Sequence, residues 1–248
     1  MEQESMTEEA YLESFDLESI RRPMVTVDLV IFTIKNSLLH VLTLKRDGHP
    51  EKGKWSLPGG FLDIDCDESL EAAALRKLKE KTGVSTPYLE QLETIGNVKR
   101  DPRGWTVTVA YFALISVEDI RLKSRSATSD TRWVVVSDDL LRNLAFDHTP
   151  IFEHGLERLR NKVAYTALPV HLLPKAFTLT DLKTVFEIVM ETTLEKSAFR
   201  RRIREADIVE PIPGEMRLGN FRPAQMYRVK KGCGVHFFQR TLIGPRSK

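Results

Sequence analysis

Residues 58–84 read PGGFLDIDCDESLEAAALRKLKEKTGV, and this stretch decides how most of the chain folds. A proline and two glycines open a turn. An acidic loop follows, and Asp67 or Ser69 stands where a helix N-cap is needed. Leu70, Ala73, Ala74, Leu78 and Lys81 then fall near one helical stripe, and Gly83 stops the run. The pattern predicts a helix to about Lys81, packed on a sheet until its lysine end emerges. Lys77, Glu80 and Lys81 stand at i, i+3 and i+4 and so share a face, with two cations beside one carboxylate.

Outward from this helix, the flanking segments read as strands. Met24–Ile34 is rich in β-branched residues, Asn36-Ser37 makes a turn, and Leu38–Leu44 is its hairpin partner. Tyr88–Asn97 and Trp105–Val117 are further strands, the second an apolar run expected at the centre of a sheet. The loop VKRDPRG lies between them. Arg132–Val136 is a short strand, and Leu140–Leu144 and Ile151–Val163 read as helices, the second with Phe152, Leu156, Leu159 and Val163 at helical spacing. The expectation is an α/β/α sandwich on a mixed sheet over residues 1–163, entered through a polar and partly helical lead-in at residues 7–22.

Tyr165–Ala176 holds two prolines and few charges and reads as a connector. Beyond it the pattern changes. Thr178 and Asp181 outline a capping box, and Leu179, Leu182, Phe186 and Val189 follow on one face. Thr192-Thr193 breaks that helix. A second runs from about Glu195 to Ala206, with Phe199, Ile203 and Ala206 inward and Arg200, Arg201, Arg202 and Arg204 mostly outward. Ile208 and Val209 start a strand, residues 214–220 form a loop, and Ala224–Val229 returns. Helix, turn, arginine-rich helix and hairpin make a winged helix-turn-helix over residues 164–248. Such a fold lays its second helix in the major groove of DNA. Lys196, Ser197, Arg200, Arg201 and Arg204 are therefore candidate DNA contacts, with Arg217, Arg222 and Arg228 in or beside the hairpin suited to phosphate or the minor groove. The bland alternative is a solvated arginine helix paired with Glu187, Glu191, Glu195 and Glu205.

Composition agrees with two differently charged parts. The net charge of +2 splits into +7 over residues 165–248, with 15 Lys and Arg against 8 Asp and Glu, and −5 over the rest. No apolar run approaches the roughly 18 residues of a membrane span. The acidic start MEQESMTEEA is unlike a signal peptide, and two cysteines, Cys66 and Cys233, offer no disulfide framework or metal spacing. A cytoplasmic protein is expected.

The chain resembles the Nudix-related transcriptional regulators of NAD metabolism, the NrtR family of bacterial repressors. The resemblance rests on Lys54–Gly83, Tyr88–Trp105, LAFDH at Leu144–His148, and FTLTDLKTVFE, SAFRRRI and FRPAQMYRV in the last third. It implies a Nudix-like domain that senses ADP-ribose, and a winged helix that binds palindromic operators of NAD biosynthesis or salvage genes as a homodimer. It further implies DNA release on ADP-ribose binding, without a cofactor, in the cytoplasm and at the nucleoid when DNA is bound. Against the Nudix pattern, Glu68 and Arg76 have the expected seven intervening residues, but Lys77 and Lys81 replace two metal-binding glutamates. The seven residues between Gly60 and Glu68 also make a longer loop than usual. In that pattern Mg²⁺ would bind the phosphate oxygens and activate water. Two ammonium groups repel the ion and Glu80 alone is a poor site. Asp63, Asp65, Asp67, Glu68 and Glu71 are the carboxylates left to compensate.

No catalytic residue and no metal ligand are expected. A pyrophosphate ligand calls for cations and close backbone approach. Arg46, Gly59, Gly60, Arg100 and Arg103 are the candidates, and Lys77 and Lys81 could take over the phosphates from the absent metal. Each arginine has surface exposure as its alternative. Trp55 and Trp105 could stack on adenine, though core packing claims them more readily, and His148 could meet ligand or cap a turn. Two other readings stand against the repressor. One is an active ADP-ribose pyrophosphatase with an appended regulatory module, which the lysine pair opposes. The other is an RNA-binding or scaffold protein, which a preference for single strands would reveal.

Overall fold

The elements run α1 (Glu8–Ser14), β1 (Met24–Lys35), β2 (Leu38–Lys45), β3 (Trp55–Ser56), β4 (Gly59–Phe61), α2 (Leu70–Thr82), β5 (Tyr88–Asn97), β6 (Thr106–Leu114), β7 (Thr131–Val135), α3 (His148–Val163), β8 (Phe177–Thr178), α4 (Leu179–Met190), α5 (Lys196–Ala206), β9 (Val209–Arg217) and β10 (Ala224–Val229). The structure, a computed structural model, describes residues 6–85, 88–120, 130–218, 223–232 and 236–238.

The apolar strand β1 organises the first part. It pairs antiparallel with β2 through the Asn36-Ser37 turn, where both residues take positive φ as a tight hairpin demands, and parallel with β6 along nine residue pairs. The sheet order is β3-β2-β1-β6-β5, with β4 also on β1 and β7 on β2. Strand alternation sends Val27, Leu29 and Ile31 to one face, against Ala73, Ala74 and Leu78 of α2. Val30 and Phe32 go to the other, against Ile151, Phe152 and Leu159 of α3. The result is the expected three-layer sandwich on a mixed sheet.

The caps explain where helices start. Ser69 caps α2 by accepting from the Ala72 amide at 3.1 Å, and Gly83 ends it at φ +76°. Asp67, the other cap candidate, instead grips Arg76. Helix α3 begins at His148, three residues before the expected Ile151. Its N-cap residue Asp147 makes no side-chain cap, because Arg100 takes its carboxylate. The expected helix at Leu140–Leu144 is a 3₁₀ turn, Asp139–Asn143, started by the Asp138 carboxylate on the Leu140 amide.

The segment expected to connect the two parts is buried between them. Leu168–Leu172 forms a buried 3₁₀ turn, with Leu168, Pro169, Val170 and Leu172 shielded from solvent. The run is free of charge and satisfies its backbone locally, Val170 N–H to the Ala167 carbonyl at 3.1 Å and Leu173 N–H to the Val170 carbonyl at 3.2 Å. It can therefore lie inside. The core against α3 continues through it into Leu182, Phe186, Val189, Phe199 and Ile203.

The last third is a winged helix. Thr178 and Asp181 close the capping box of α4 in both directions, at 3.1 and 2.8 Å. The helix ends at Glu191 in the left-handed conformation, and Glu195 caps α5 on the Ser197 and Ala198 amides at 2.8 and 2.6 Å. Those amides hold the Glu195 carboxyl down to about 2. Phe186 and Phe199 meet edge to face at 5.3 Å, fixing α4 on α5. A three-stranded sheet, β8-β10-β9, carries the hairpin. Strand β9 runs through Gly214 to Arg217, so the expected loop at 214–220 opens later than the glycine suggested. Arg222 lies outside the described residues.

Candidate functional site

A cavity of about 350 Å³ opens where β1, β4, the Arg46 loop, the Arg100 loop and the start of α3 converge. Six of the candidate ligand contacts line it: Arg46, Gly59, Gly60, Lys81, Arg100 and Arg103. Lys77 stands beside Gly60, its ammonium 3.3 Å from where a Cβ on that glycine would lie. Gly60 has φ +145°, and a Cβ at Gly59 would collide with the Asp28 carboxylate and the Val27 carbonyl. Both glycines are thus required by the backbone of the pocket wall.

The three arginines differ in state. Arg100 is buried and engaged within the protein. Its guanidinium donates to both oxygens of Asp147 at 2.9 and 3.0 Å, to Asp28 at 3.2 Å and to the Thr26 hydroxyl at 3.4 Å. It is not the surface arginine that was its alternative: it lines the cavity with its guanidinium held by carboxylates. The Asp28 and Asp147 carboxylates drew it inside. Arg46 lies over the Phe146 ring at 4.6 Å and donates from Nε to the Pro50 carbonyl at 2.9 Å. Burial, and then the neighbouring Arg103, push Arg46 below the ordinary arginine range. Arg103 lies over Phe61 at 4.9 Å and forks onto Asp101. Two aromatic faces therefore aim two guanidiniums toward one cavity.

Sequence reasoning missed the acidic and aromatic supports. Asp28 interrupts an otherwise apolar strand, which was the available signal. It accepts from the Thr108 hydroxyl at 2.7 Å as well as from Arg100. Phe146 takes φ +52°, held by its N–H donating to Glu51 at 2.6 Å. His148 is buried and accepts at Nδ1 from the Leu57 amide at 2.9 Å, which leaves the proton on Nε2, facing Asp28 at 3.6 Å. Burial keeps its pKa below the usual histidine value. Trp55 packs against the core, but Trp105 is about half exposed and its ring lies against Gly96.

The carboxylates beside Arg76 are engaged within the protein. Glu80 pairs with Arg76 at 3.1 Å. Asp67 holds the same guanidinium at 2.6 and 2.7 Å, which draws its carboxyl down to about 2. Asp63 and Asp67 also accept backbone amides of their own loop. Among the described residues, no three His, Cys, Asp or Glu side chains gather to hold an ion. What the pocket presents instead is guanidinium and ammonium groups, the donors that recognise phosphate oxygens.

A second concavity of about 1050 Å³ lies between α5, the N-terminus of α4 and the hairpin. Lys196, Arg200 and Arg204, at four-residue steps, line it together with Arg217. Among the described residues, no ion pair engages these three α5 cations. Arg201 faces away, with Glu205 at 3.9 Å, and the Ser197 hydroxyl donates to Glu195 at 2.7 Å, so neither lines the groove. Arg217 donates to Asp181 at 2.8 Å, and Arg228 joins the hairpin strands through Glu210 at 2.7 Å. No helix among the described residues is long and apolar enough to cross a membrane.

Comparison with known proteins matches the same two parts. The NUDIX domain matches residues 22–154, and the NrtR DNA-binding winged helix domain matches residues 169–229. A curated relative from Acinetobacter baylyi, described as ADPR responsive transcriptional repressor NtrR, is 44% identical over 240 residues, 97% of this chain and 95% of its own length. The crystal structure of Shewanella oneidensis NrtR complexed with a 27mer DNA superimposes with a TM-score of 0.80 at 42% identity, over 88% of this chain and 99% of that one. The NUDIX domain of the same protein, complexed with ADP ribose, matches at 48% identity and a TM-score of 0.57, over 62% of this chain and 99% of that one. The chain belongs to the NrtR family, in which a Nudix domain precedes a DNA-binding winged helix.

Proposed function

We propose that this protein is a transcriptional repressor that binds operator DNA through its winged helix and releases it when ADP-ribose occupies the Nudix pocket. The observation that carries this reading is the groove in which Lys196, Arg200, Arg204 and Arg217 converge. It is joined by one core to a pocket furnished for a phosphorylated ligand. The relatives that bind DNA and ADP-ribose share both parts. The sensing domain spans residues 1–163 and the reading domain 164–248. The resemblance points to genes of NAD biosynthesis or salvage as targets. A palindromic operator calls for a homodimer, whose two-fold axis matches half-sites about one helical turn apart.

In this reading the pocket binds its ligand and leaves it intact. Lys81, with Lys77 beside Gly60, meets the pyrophosphate, and Arg46 and Arg103 supply further donors. Gly59 and Gly60 let the ligand approach the backbone, while Arg100 keeps the wall in shape. ADP-ribose acts as an effector, and no cofactor takes part. Release of DNA requires the ligand to favour a dimer geometry that misplaces the reading helices. The test is a titration of duplex DNA from upstream of the gene, with and without ADP-ribose, following AMP release with Mg²⁺ in the same tube. The expected result is a specific complex that ADP-ribose dissolves while AMP does not appear. Absence of a specific complex, or AMP release at enzymatic rates, overturns the reading.

A further inference from the structure

The DNA groove contains a carboxylate where a polyanion is expected to lie. Asp181 lines it, at the N-terminus of α4. Its two oxygens do different work. Oδ2 accepts from the Thr178 amide at 2.8 Å and closes the capping box, while Oδ1 accepts from Arg217 Nη1 at 2.8 Å. Arg217 is the last residue of β9, at the far end of the hairpin. The hairpin base is secured separately: Lys230 N–H donates to the Ile208 carbonyl at 3.0 Å, and its ammonium pairs with Asp207 at 2.6 Å. Asp181 thus ties the outer hairpin to the start of α4.

We propose that the Asp181–Arg217 pair is a latch that DNA opens. In the free protein the carboxylate holds Arg217 against the N-terminus of α4. On the duplex a backbone phosphate replaces it as the partner of the guanidinium. Asp181 is then a positioning residue that tempers affinity, and Arg217 is a phosphate contact. The geometry suits an exchange. Both side chains are partly exposed, 48% for Arg217 and 30% for Asp181, so a phosphate can approach the guanidinium without prior unfolding. When Arg217 leaves, Asp181 still has the Thr178 amide to accept from and the helix dipole to favour its charge. Exposed pairs of this kind are weak, which allows a phosphate to displace one.

This inference rests on the DNA-binding reading above. The experiment measures duplex affinity against salt concentration for the full-length protein and three variants. Asp181→Asn keeps an oxygen for the Thr178 amide but removes the charge. It should bind about two- to five-fold tighter than wild type, the scale of an exposed ion pair, with an unchanged salt slope. Arg217→Ala should bind more weakly and lower the salt slope by about one, the mark of one lost phosphate contact. Thr178→Ala, which damages the cap and leaves the charge, should not tighten binding, and thermal melting of each variant reports on folding. Asp181→Asn no tighter than wild type, or Arg217→Ala with an unchanged slope, makes the pair a fixed strut and overturns the latch alone. Wild-type protein that forms no specific duplex complex overturns the DNA reading beneath it.

Discussion

Arg100 and Asp147 meet as a two-pronged pair in the wall of the ligand pocket, Nε on Oδ2 at 2.9 Å and Nη2 on Oδ1 at 3.0 Å. The pair joins a loop to the start of α3 across 47 residues of sequence and shares its guanidinium with Asp28. Replacing Arg100 with leucine leaves two carboxylates in the wall without their cation. We expect the fold to lose about 3 kcal/mol, as when one partner is taken from a buried pair. Arg100→Lys should recover only part of this, because one ammonium cannot span the fork. Urea denaturation followed by circular dichroism measures both. Stability within about 0.5 kcal/mol of wild type for Arg100→Leu would remove the arginine from this role.

Lys81 in the cavity and Lys77 beside Gly60 should carry ligand affinity. Lys81→Ala and Lys77→Ala are each expected to weaken ADP-ribose binding about tenfold, the scale of one charge-assisted hydrogen bond. Isothermal titration reads this directly. Unchanged affinity in both variants would show that the ammonium groups do not touch the phosphates.

On the DNA side, position around α5 should separate arginines that sequence alone treats alike. Arg200→Ala and Arg204→Ala remove groove cations and should each cost roughly 1–3 kcal/mol of operator binding. Arg201→Ala, whose side chain lies toward Glu205 and away from the groove, should change binding little. Gel-shift titrations at fixed salt decide this, and equal losses at all three positions would mean the helix lies differently on DNA.

Acidity should act through His148. Burial lowers its pKa in the fold below the ordinary value of 6.5, so the unfolded chain takes up the proton first. The neutral ring's contribution is complete above about 6.5 and declines as pH falls from there toward the folded-state value. His171, also depressed by burial, adds to the same window. Asparagine at 148 can offer an oxygen to the Leu57 amide without titrating. His148→Asn should therefore lose less stability than wild type between pH 7 and pH 5. An identical pH profile for the two proteins would place the acid sensitivity elsewhere.

Most of the architecture was open to sequence reading because it is local. The Ser69 and Thr178 caps, the Asn36-Ser37 turn, and the stripes of α2 and α5 are each set within a few residues of chain. The pocket was legible in its cations and silent about its supports. Arg46 and Arg103 stand out by their loop positions and Lys81 by its place at the end of α2, and the fold gathers the three at one cavity. Nothing within reach of Arg100 in the sequence says that Asp28 and Asp147 will draw it inside. The same limit hid the connector, since a proline-bearing apolar run reads alike whether it links two bodies or lies within one. On α5, four arginines in five positions declared a basic helix, but only the placement of the hairpin chose Arg200 and Arg204 over Arg201.

The apolar interior that runs from Ile151 and Leu159 through Leu168 to Phe186 and Phe199 has a mechanical meaning. A reader on a loose tether could ignore what happens to its sensor. Here the two share side chains across the seam, and α3 and α4 pack into one apolar interior. A cut in the chain at Leu168–Leu172 would therefore open one apolar interior and expose side chains of both parts.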